Sequence, residues 1–233
     1  MKRLSIFNVA QLMMVLLLMS PGPAWSQSAA PAPATVPGSG SPADSASDAT
    51  SAYAPLELPL GVRMDVAKSW KILGEDVNKQ IVDSAADILK RGGLELPKDK
   101  VNLFRANSPA LPHASLFVNT QPAEGAEEEA RGLTDADLND LLDVYKAGME
   151  KVRLTSNITV LEYYPIKKLA MGKHIALIIS YKRAGINGGP PVYVRINRLL
   201  IGNREISITL SYPEGYKELE AAVKHMVSSI RIE

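Results

Sequence analysis

Hydrophobic and polar residues alternate along most of the chain after residue 56, and the period switches between that of a strand and that of a helix. Every second residue in 62–66 is apolar, which predicts a strand, and a turn through Lys68-Ser69-Trp70 follows. Apolar residues at helical spacing then predict a first helix over 75–91, which ends at Gly92-Gly93.

A long second helix is predicted after residue 134. Thr134 and Asp137 have the spacing of a capping box at a helix start. Six apolar residues then recur at helical spacing: Leu138, Leu141, Leu142, Tyr145, Met149 and Val152. Before this helix, short strands are expected at 101–105 and 115–119. The acidic segment 121–133 has no pattern, so we expect it to be a mobile loop.

Four strands and a final helix are predicted in the last third of the chain. The strands are expected at 158–164, 174–181, 192–201 and 205–212, and the last of them alternates strictly between apolar and polar residues. Asn187-Gly188-Gly189 and Gly202-Asn203 are typical of the turns between them. The helix is expected over 213–229, with Pro213 in its first turn.

These elements predict an α+β fold. Three helices and about six to seven strands, joined mainly by hairpin-length turns, favour an antiparallel sheet with helices packed on it, a helix–sheet–helix sandwich. The folded part, 56–233, is long enough to bury a core as a single domain.

The first 26 residues have the features of a signal peptide. Lys2 and Arg3 precede the apolar run 12–19, and small residues at Ala24 and Ser26 predict cleavage after Ser26. The protein is therefore expected to be periplasmic or secreted, with no integral membrane segment after cleavage. An uncleaved anchor is the alternative, although the apolar run is shorter than the ~20 residues that span a bilayer.

Residues 27–55 form a predicted disordered linker. Of these 29 residues, 22 are Ala, Ser, Pro or Gly, a composition that buries too little apolar surface to offset the entropy of ordering. A disordered lead-in is the preferred interpretation, because nothing folded is expected before it. A flexible tether is the alternative.

Composition excludes several classes of site. The chain has no Cys, so disulfides, thiolate metal sites and cysteine nucleophiles are ruled out. The three histidines, His113, His174 and His225, are 50 or more residues apart, without a second His or a carboxylate at ligand spacing. Because nucleophile-elbow and phosphate-loop motifs are also missing, we expect no catalytic residue, metal or cofactor.

Charge is arranged in two opposite blocks, although the whole chain has a net charge of +1. Residues 121–150 contain nine acidic and two basic residues, a net of −7, and residues 151–204 contain ten basic residues and one acidic, a net of +9. The preferred interpretation is mutual neutralisation, and the alternative is a basic face that docks an anionic partner. The candidate residues for that face are Lys167, Lys168, Lys173, Lys182, Arg183, Arg195, Arg198 and Arg204.

Two further patterns bear on binding. Arg195 and Asn197 are expected to share one face of their strand, where an arginine fork would accept a carboxylate or phosphate. Five tyrosines on neighbouring strands would either line a groove or, as we prefer, form a half-buried core edge. They are Tyr163, Tyr164, Tyr181, Tyr193 and Tyr212.

The order of the predicted elements over 56–233 resembles that of the PsbP-like family, which includes DcrB-type bacterial envelope proteins. The residues that carry the resemblance are 61–70, with Trp70 after the opening strand, the closing strand 206–210, the helix 214–227 and the tail 228–232. The resemblance implies a PsbP-like fold and a non-enzymatic accessory or binding domain. It assigns no functional residue to this chain.

Together these observations favour an exported, non-enzymatic accessory or binding protein of the cell envelope. Its expected partner is another envelope protein or an anionic surface, and nucleic acid is not expected for an exported protein. A secreted hydrolase with an unrecognised active site is one alternative. A membrane-anchored surface protein, if the signal is not cleaved, is the other.

Overall fold

The structure, a computed structural model, describes residues 52–74, 99–156 and 158–233. It also describes five residues of the helix predicted over 75–91, and all five are helical: Asp76, Lys79, Asp83, Lys90 and Arg91. The remainder of that helix, the predicted signal 1–26 and residues 27–51 of the predicted linker lie outside the described residues.

Eleven strands form two antiparallel sheets in the described residues. The larger sheet has the order β3-β4-β5-β10-β9-β8-β6, with β7 also paired to β8, and the smaller one has the order β1-β2-β11. The strands are β1 (Tyr53–Glu57), β2 (Val62–Ala67), β3 (Lys71–Ile72), β4 (Val101–Asn107), β5 (Ser115–Pro122), β6 (Val160–Tyr163), β7 (Lys167–Met171), β8 (His174–Arg183), β9 (Val192–Ile201), β10 (Arg204–Pro213) and β11 (Arg231–Ile232).

Besides the helical residues between 76 and 91, the described residues contain three helices with defined bounds: α1 (Ala126–Gly132), α2 (Asp135–Ser156) and α3 (Lys217–Ser228). The predicted capping box at the start of α2 is confirmed. The Thr134 amide donates to Asp137 Oδ2 at 2.8 Å, and the Asp137 amide donates to Thr134 Oγ1 at 3.3 Å. These bonds satisfy amides that the helix itself leaves without partners.

The larger sheet is covered on both faces. Helices α1 and α2 lie on one face, where Leu141, Tyr145 and Met149 pack with Leu177 and Ile196. Helix α3 and the smaller sheet lie on the other face. There Val62, Met64, Val223 and Met226 pack with Leu116, Val118, Ile206 and Ile208. The predicted α+β class and the sandwich of helices on an antiparallel sheet are therefore confirmed.

The sequence predicts a mobile loop over the acidic segment 121–133, and this prediction is wrong. The first two residues of this segment belong to β5, and α1 follows. Ala126 and Ala130 are buried one helical turn apart, so two small side chains anchor this short helix. Glu127, Glu128 and Glu129 lie in its first turn, where negative charge interacts favourably with the helix dipole. The acidic run that hides any apolar pattern therefore favours the helix.

The last helix also begins later than predicted. It starts at Lys217, and Pro213 is the final residue of β10, paired with Val192. Proline is tolerated at the end of a strand, where no further ladder bond is needed from its nitrogen. Pro213 therefore ends a strand and does not start a helix.

Short strands raise the strand count above the predicted six to seven. β3 and β11 have two residues each, too few for a visible alternation. β6 and β7 pair with opposite ends of β8, with Pro165 between them. β1 begins at Tyr53, so this strand includes the last three residues of the segment that composition assigns to the linker.

Candidate functional site

The structure divides the eight candidate basic residues between two faces of the sheet and the solvent. Lys182 and Arg183 are consecutive on β8 and so point to opposite faces, as do Arg195 and Arg198 on β9. Arg183 and Arg198 are buried, with 5% and 4% of their surface exposed. They do not belong to an exposed binding face. Lys167 and Lys173 are exposed, and Lys168, Lys182, Arg195 and Arg204 are half-buried.

Two of these residues make contacts that support the fold. The Lys168 ammonium donates to the carbonyl oxygens of Arg131 and Leu133, at 3.0 and 2.5 Å, at the carboxyl end of α1. A cation there satisfies orphan carbonyls and interacts favourably with the helix dipole. Arg204 Nη2 lies 3.4 Å from Thr120 Oγ1 on the neighbouring strand.

The acidic and basic blocks meet at one corner. There Glu127 accepts from His174 Nδ1 at 3.1 Å and from the Gly202 amide at 2.7 Å. Burial alone would raise the pKa of Glu127, but these hydrogen bonds and Arg131 lower it below its ordinary value. The acidic helices otherwise form short-range pairs on their own surfaces. These pairs are Arg131–Glu127, Lys146–Asp143 and Arg153–Glu150.

One end of the sheet presents a tyrosine–lysine cluster, formed by Lys182, Tyr193, Arg195, Tyr212 and Glu214. The Tyr193 and Tyr212 rings stack with centroids 5.2 Å apart, and Lys182 Nζ lies 5.2 Å from the Tyr193 centroid. Glu214 accepts from Lys182 Nζ at 2.7 Å and from the Tyr193 hydroxyl at 3.1 Å. The bond between Lys182 and Glu214 lowers the pKa of the carboxyl and raises that of the ammonium.

Arg195 lies two residues beyond Tyr193 on β9, on the same face of the sheet. It shares a strand face with Asn197, as predicted, and its Nε donates to Asn197 Oδ1 at 3.0 Å. Asn197 is itself held by a bond from Nδ2 to the Ile208 carbonyl at 3.2 Å. Partial burial lowers the pKa of Arg195 from its ordinary value. A guanidinium oriented in this way can donate hydrogen bonds to an anionic group such as a carboxylate.

The five candidate tyrosines do not line one groove. Tyr181 is buried on the α2 face, next to Tyr145, and Tyr163 packs against that core. Tyr193 and Tyr212 lie on the opposite face, and the Tyr164 hydroxyl donates to Glu162 Oε2 at 2.8 Å and also interacts with that of Tyr193. The alternation of side chains along the strands separates them.

The α2-facing side of β4, β5, β9 and β10 carries a second cluster, which we call the polar face. It consists of Arg105, Asn119, Gln121, Arg198, Glu205, Ser207 and Thr209, and each of them is at most 5% exposed. In the strand register Ser207 lies opposite Asn119 and Arg198, and Thr209 lies opposite Phe117. Arg105 also lies opposite Phe117. A polar layer of this kind is costly unless its groups find partners.

A bidentate ion pair anchors the polar face. Arg198 Nε and Nη2 donate to the two carboxylate oxygens of Glu205 at 2.9 and 2.5 Å, and Gln121 Nε2 donates to Glu205 Oε2 at 3.2 Å. Burial would raise the pKa of Glu205, but Arg198, Lys100 and Gln121 hold it below its ordinary value. Glu205 is therefore an ionised carboxylate whose charge Arg198 balances.

Arg105 is the charged residue of the polar face that has no ion-pair partner among the described residues. Its guanidinium carbon lies 4.2 Å from the centroid of the Phe117 ring, and in the described part of the chain none of its three side-chain nitrogens has a hydrogen-bond partner. Burial lowers the pKa of Arg105 to about 10, so it is a cation at neutral pH. Both amide atoms of Asn119 and the hydroxyls of Ser207 and Thr209 likewise have no partner within the residues that the structure describes. Each such buried group costs about 1–3 kcal/mol.

Lys100 adds a further positive charge to this environment. It is half-buried just before β4. Burial lowers its pKa to about 8, the charge of Glu205 opposes this shift, and the charges of Arg198 and Arg105 add to it. Near neutral pH, three cations therefore face a single carboxylate.

The sequence contains a signal for the polar face, but it is ambiguous. In 205–212 the polar residues alternate with apolar ones, a pattern that also fits a strand with one side in solvent. Arg105, between Phe104 and Ala106, and Arg198, directly before Leu199, lie in mid-strand, which is the better indication of a buried polar layer. That indication becomes decisive only once β4, β5, β9 and β10 are known to be neighbours.

The three histidines each contact a backbone carbonyl or a carboxylate. His113 Nδ1 lies 2.6 Å from the Ser108 carbonyl oxygen, and His225 Nε2 lies 3.1 Å from Asp65 Oδ2. His174 contacts Glu127, as described above. Among the described residues, no three His, Asp or Glu side chains are placed to hold a metal ion. The helices in the described part of the chain do not combine the length and apolar character needed to cross a membrane.

Comparison with solved structures identifies the fold. The PsbP protein of Synechocystis sp. PCC 6803 (CyanoP) aligns with a TM-score of 0.50 and 12% identity, over 78% of this chain and 93% of that protein. LpqN of Mycobacterium tuberculosis, involved in cell envelope biogenesis, aligns with 12% identity over 77% of this chain and 90% of its own, with a TM-score of 0.42. No family model and no curated protein matches the sequence. From the likeness to CyanoP, the chain has a PsbP-like fold, as the sequence predicts.

Proposed function

We propose that this protein is an exported, non-enzymatic accessory protein of the cell envelope, and that it binds an acidic segment of another envelope protein. The tyrosine–lysine cluster carries the proposal, because stacked aromatic rings beside oriented cations are typical of interaction sites. The PsbP-like fold and the signal-like N-terminus support the accessory role and the location.

The cluster has the chemistry to bind a carboxylate. Glu214 already accepts from Lys182, so an acidic partner side chain would replace or join Glu214 at that ammonium. Arg195 lies one strand row away and offers a fork oriented by Asn197. The tyrosine rings add apolar contact area with few rotatable bonds. We therefore expect an acidic residue next to an apolar one in the partner.

The hydrolase alternative gains no support from the histidine surroundings. His225 with Asp65 is the histidine–carboxylate pair closest in sequence to serines, namely Ser228 and Ser229. Ser228 Oγ donates to the His225 carbonyl, and Ser229 Oγ donates to the Met226 carbonyl, both at 2.8 Å. Both hydroxyls are thus engaged by the backbone of α3, whereas a catalytic nucleophile is hydrogen-bonded to its base.

Charge reversal tests the proposed docking site. The tagged protein is used to capture partners from envelope extracts, alongside the Arg195→Glu and Lys182→Glu variants. Exposed Lys151 on α2, across the sheet from the cluster, provides the matched control Lys151→Glu. We expect both cluster variants to lose the captured partner and the control to retain it. Equal recovery by all variants would remove the cluster as the docking site.

Mass spectrometry of the protein isolated from its native cells tests the export. A mature chain that begins near Gln27 is the expected result. An intact N-terminus in the membrane fraction would instead favour the anchored form.

A further inference from the structure

We propose that the polar face is a binding site for a small hydroxylated carboxylic acid, with Arg105 as the residue that receives the carboxylate. The site lies on the opposite face of the sheet from the tyrosine–lysine cluster, so this inference does not depend on the proposed docking function. It rests on buried side chains whose hydrogen-bonding groups exceed the partners that the protein supplies.

Arg105 determines the charge and geometry of the ligand. Its guanidinium carbon lies over the Phe117 ring, and its nitrogens have no hydrogen-bond partner among the described residues. A buried, unpaired guanidinium is expensive, and a carboxylate that accepts two parallel hydrogen bonds is its best-matched partner. Arg198, in contrast, already holds Glu205 in this bidentate form.

Neutral groups nearby define the remainder of the ligand. Thr209 lies opposite Phe117 in the register, and Ser207 lies opposite Asn119. Neighbouring strands are about 4.8 Å apart and same-face neighbours on one strand about 7 Å apart, so Ser207, Thr209 and Asn119 lie within the length of a small molecule, and Arg105 is two strand spacings from Thr209. Two hydroxyls and a carboxamide, all buried without partners, match a ligand that carries hydroxyl groups of its own.

The balance of charge favours an anion. Lys100, Arg105 and Arg198 contribute three positive charges around the one carboxylate of Glu205. The net charge of these four groups is +2, so two negative charges on the ligand would bring the site to neutrality, which excludes a cation or a neutral sugar as the preferred ligand.

Thermal unfolding with matched probes provides the first test. The purified full chain is heated with about 10 mM malate, with its neutral dimethyl ester, or with inorganic phosphate. We expect malate to raise the Tm by several degrees, and the ester and phosphate to have little effect. Native mass spectrometry of protein purified without added acid tests directly for a bound small acid.

Variants locate the effect. Arg105→Met should abolish the Tm shift with malate. Arg105→Lys should lower the affinity for malate at least tenfold, because an ammonium does not form the bidentate pair. Thr209→Val keeps the shape of the side chain and should reduce the affinity, which keeps the test informative if Arg105→Met fails to fold. Arg195→Met, on the other face of the sheet, should keep the full shift.

Three results would overturn the proposal. The first is an equal malate shift in the wild-type protein and in Arg105→Met. The second is a shift with phosphate alone, which would assign the site to inorganic oxyanions. The third is no shift with any probe and no co-purified acid, which would show that water completes the polar face. Partner capture by Arg105→Met is expected to be normal, so failure here leaves the docking proposal standing.

Discussion

Strands β5 and β10 have two faces, both buried, and the two faces have opposite chemistry. On one face Leu116, Val118, Ile206 and Ile208 pack under α3 and the smaller sheet. On the other face Asn119, Ser207 and Thr209 are equally buried but polar. The apolar face is stabilised by the removal of hydrocarbon from water, whereas the polar face must satisfy hydrogen-bonding groups. Burial alone therefore does not identify the part of this sheet that holds the fold together.

The largest expected effect comes from breaking the ion pair of the polar face. Arg198→Met leaves Glu205 as a buried charge without its partner and is expected to cost about 3–5 kcal/mol of unfolding free energy. Urea denaturation measures the loss. The double variant Arg198→Met, Glu205→Leu should recover most of it, and a double variant as unstable as the single one would contradict this assignment.

Truncation on the apolar face is expected to rank second. Ile208 is fully buried, and Ile208→Ala should cost about 2–5 kcal/mol through lost burial and the cavity that remains. The same denaturation assay applies, with the exposed Leu169→Ala as the control. A loss below about 1 kcal/mol would indicate that this face contributes much less to stability than its packing implies.

The pH dependence should show the charge of the polar face. The pKa of Lys100 is about 8 in the folded protein and 10.5 ordinarily, so between these values the unfolded chain binds more protons. Unfolding free energy should therefore rise with pH across this window, by roughly 1–3 kcal/mol for a partly exposed group. The contribution should be missing in Lys100→Met. An identical slope in both proteins would place the charged Lys100 in solvent.

The smallest expected effect is on Thr209, next to Ile208 in the sequence. Thr209→Val removes a buried hydroxyl that has no partner, so without ligand the stability should change by less than about 1 kcal/mol or should increase. The loss of unfolding free energy in Ile208→Ala, compared with the small change in Thr209→Val, measures the difference between the two faces. A large loss in Thr209→Val would show that the hydroxyl is satisfied by bound water.

The sequence predicts the local structure of this fold better than its layers. The period of α2, its capping box and the meander of β8, β9 and β10 can be read from neighbouring residues, because they depend on contacts close in the chain. The cover of each sheet face depends on distant residues. Thr120 and Glu205, for example, are 85 positions apart yet share a hydrogen bond.

The candidate site shows the same limit. Alternation places Arg195 and Asn197 on one face correctly, and it also separates Lys182 from Arg183. A count of charges along the chain ignores that alternation, so it groups exposed and buried cations together. The unpartnered state of Arg105 depends on where Phe117, Asn119 and Thr209 come together, which the sequence does not specify.

The outer side of β8 has a consequence for self-association. This side is shared by β6, with four residues, and β7, with five, and Pro165 interrupts the chain between them. A continuous strand edge is a template on which a second molecule can add its own strand, and proline and short length both remove that template. At this edge the protein is therefore protected against polymerisation through its sheet, even at high concentration.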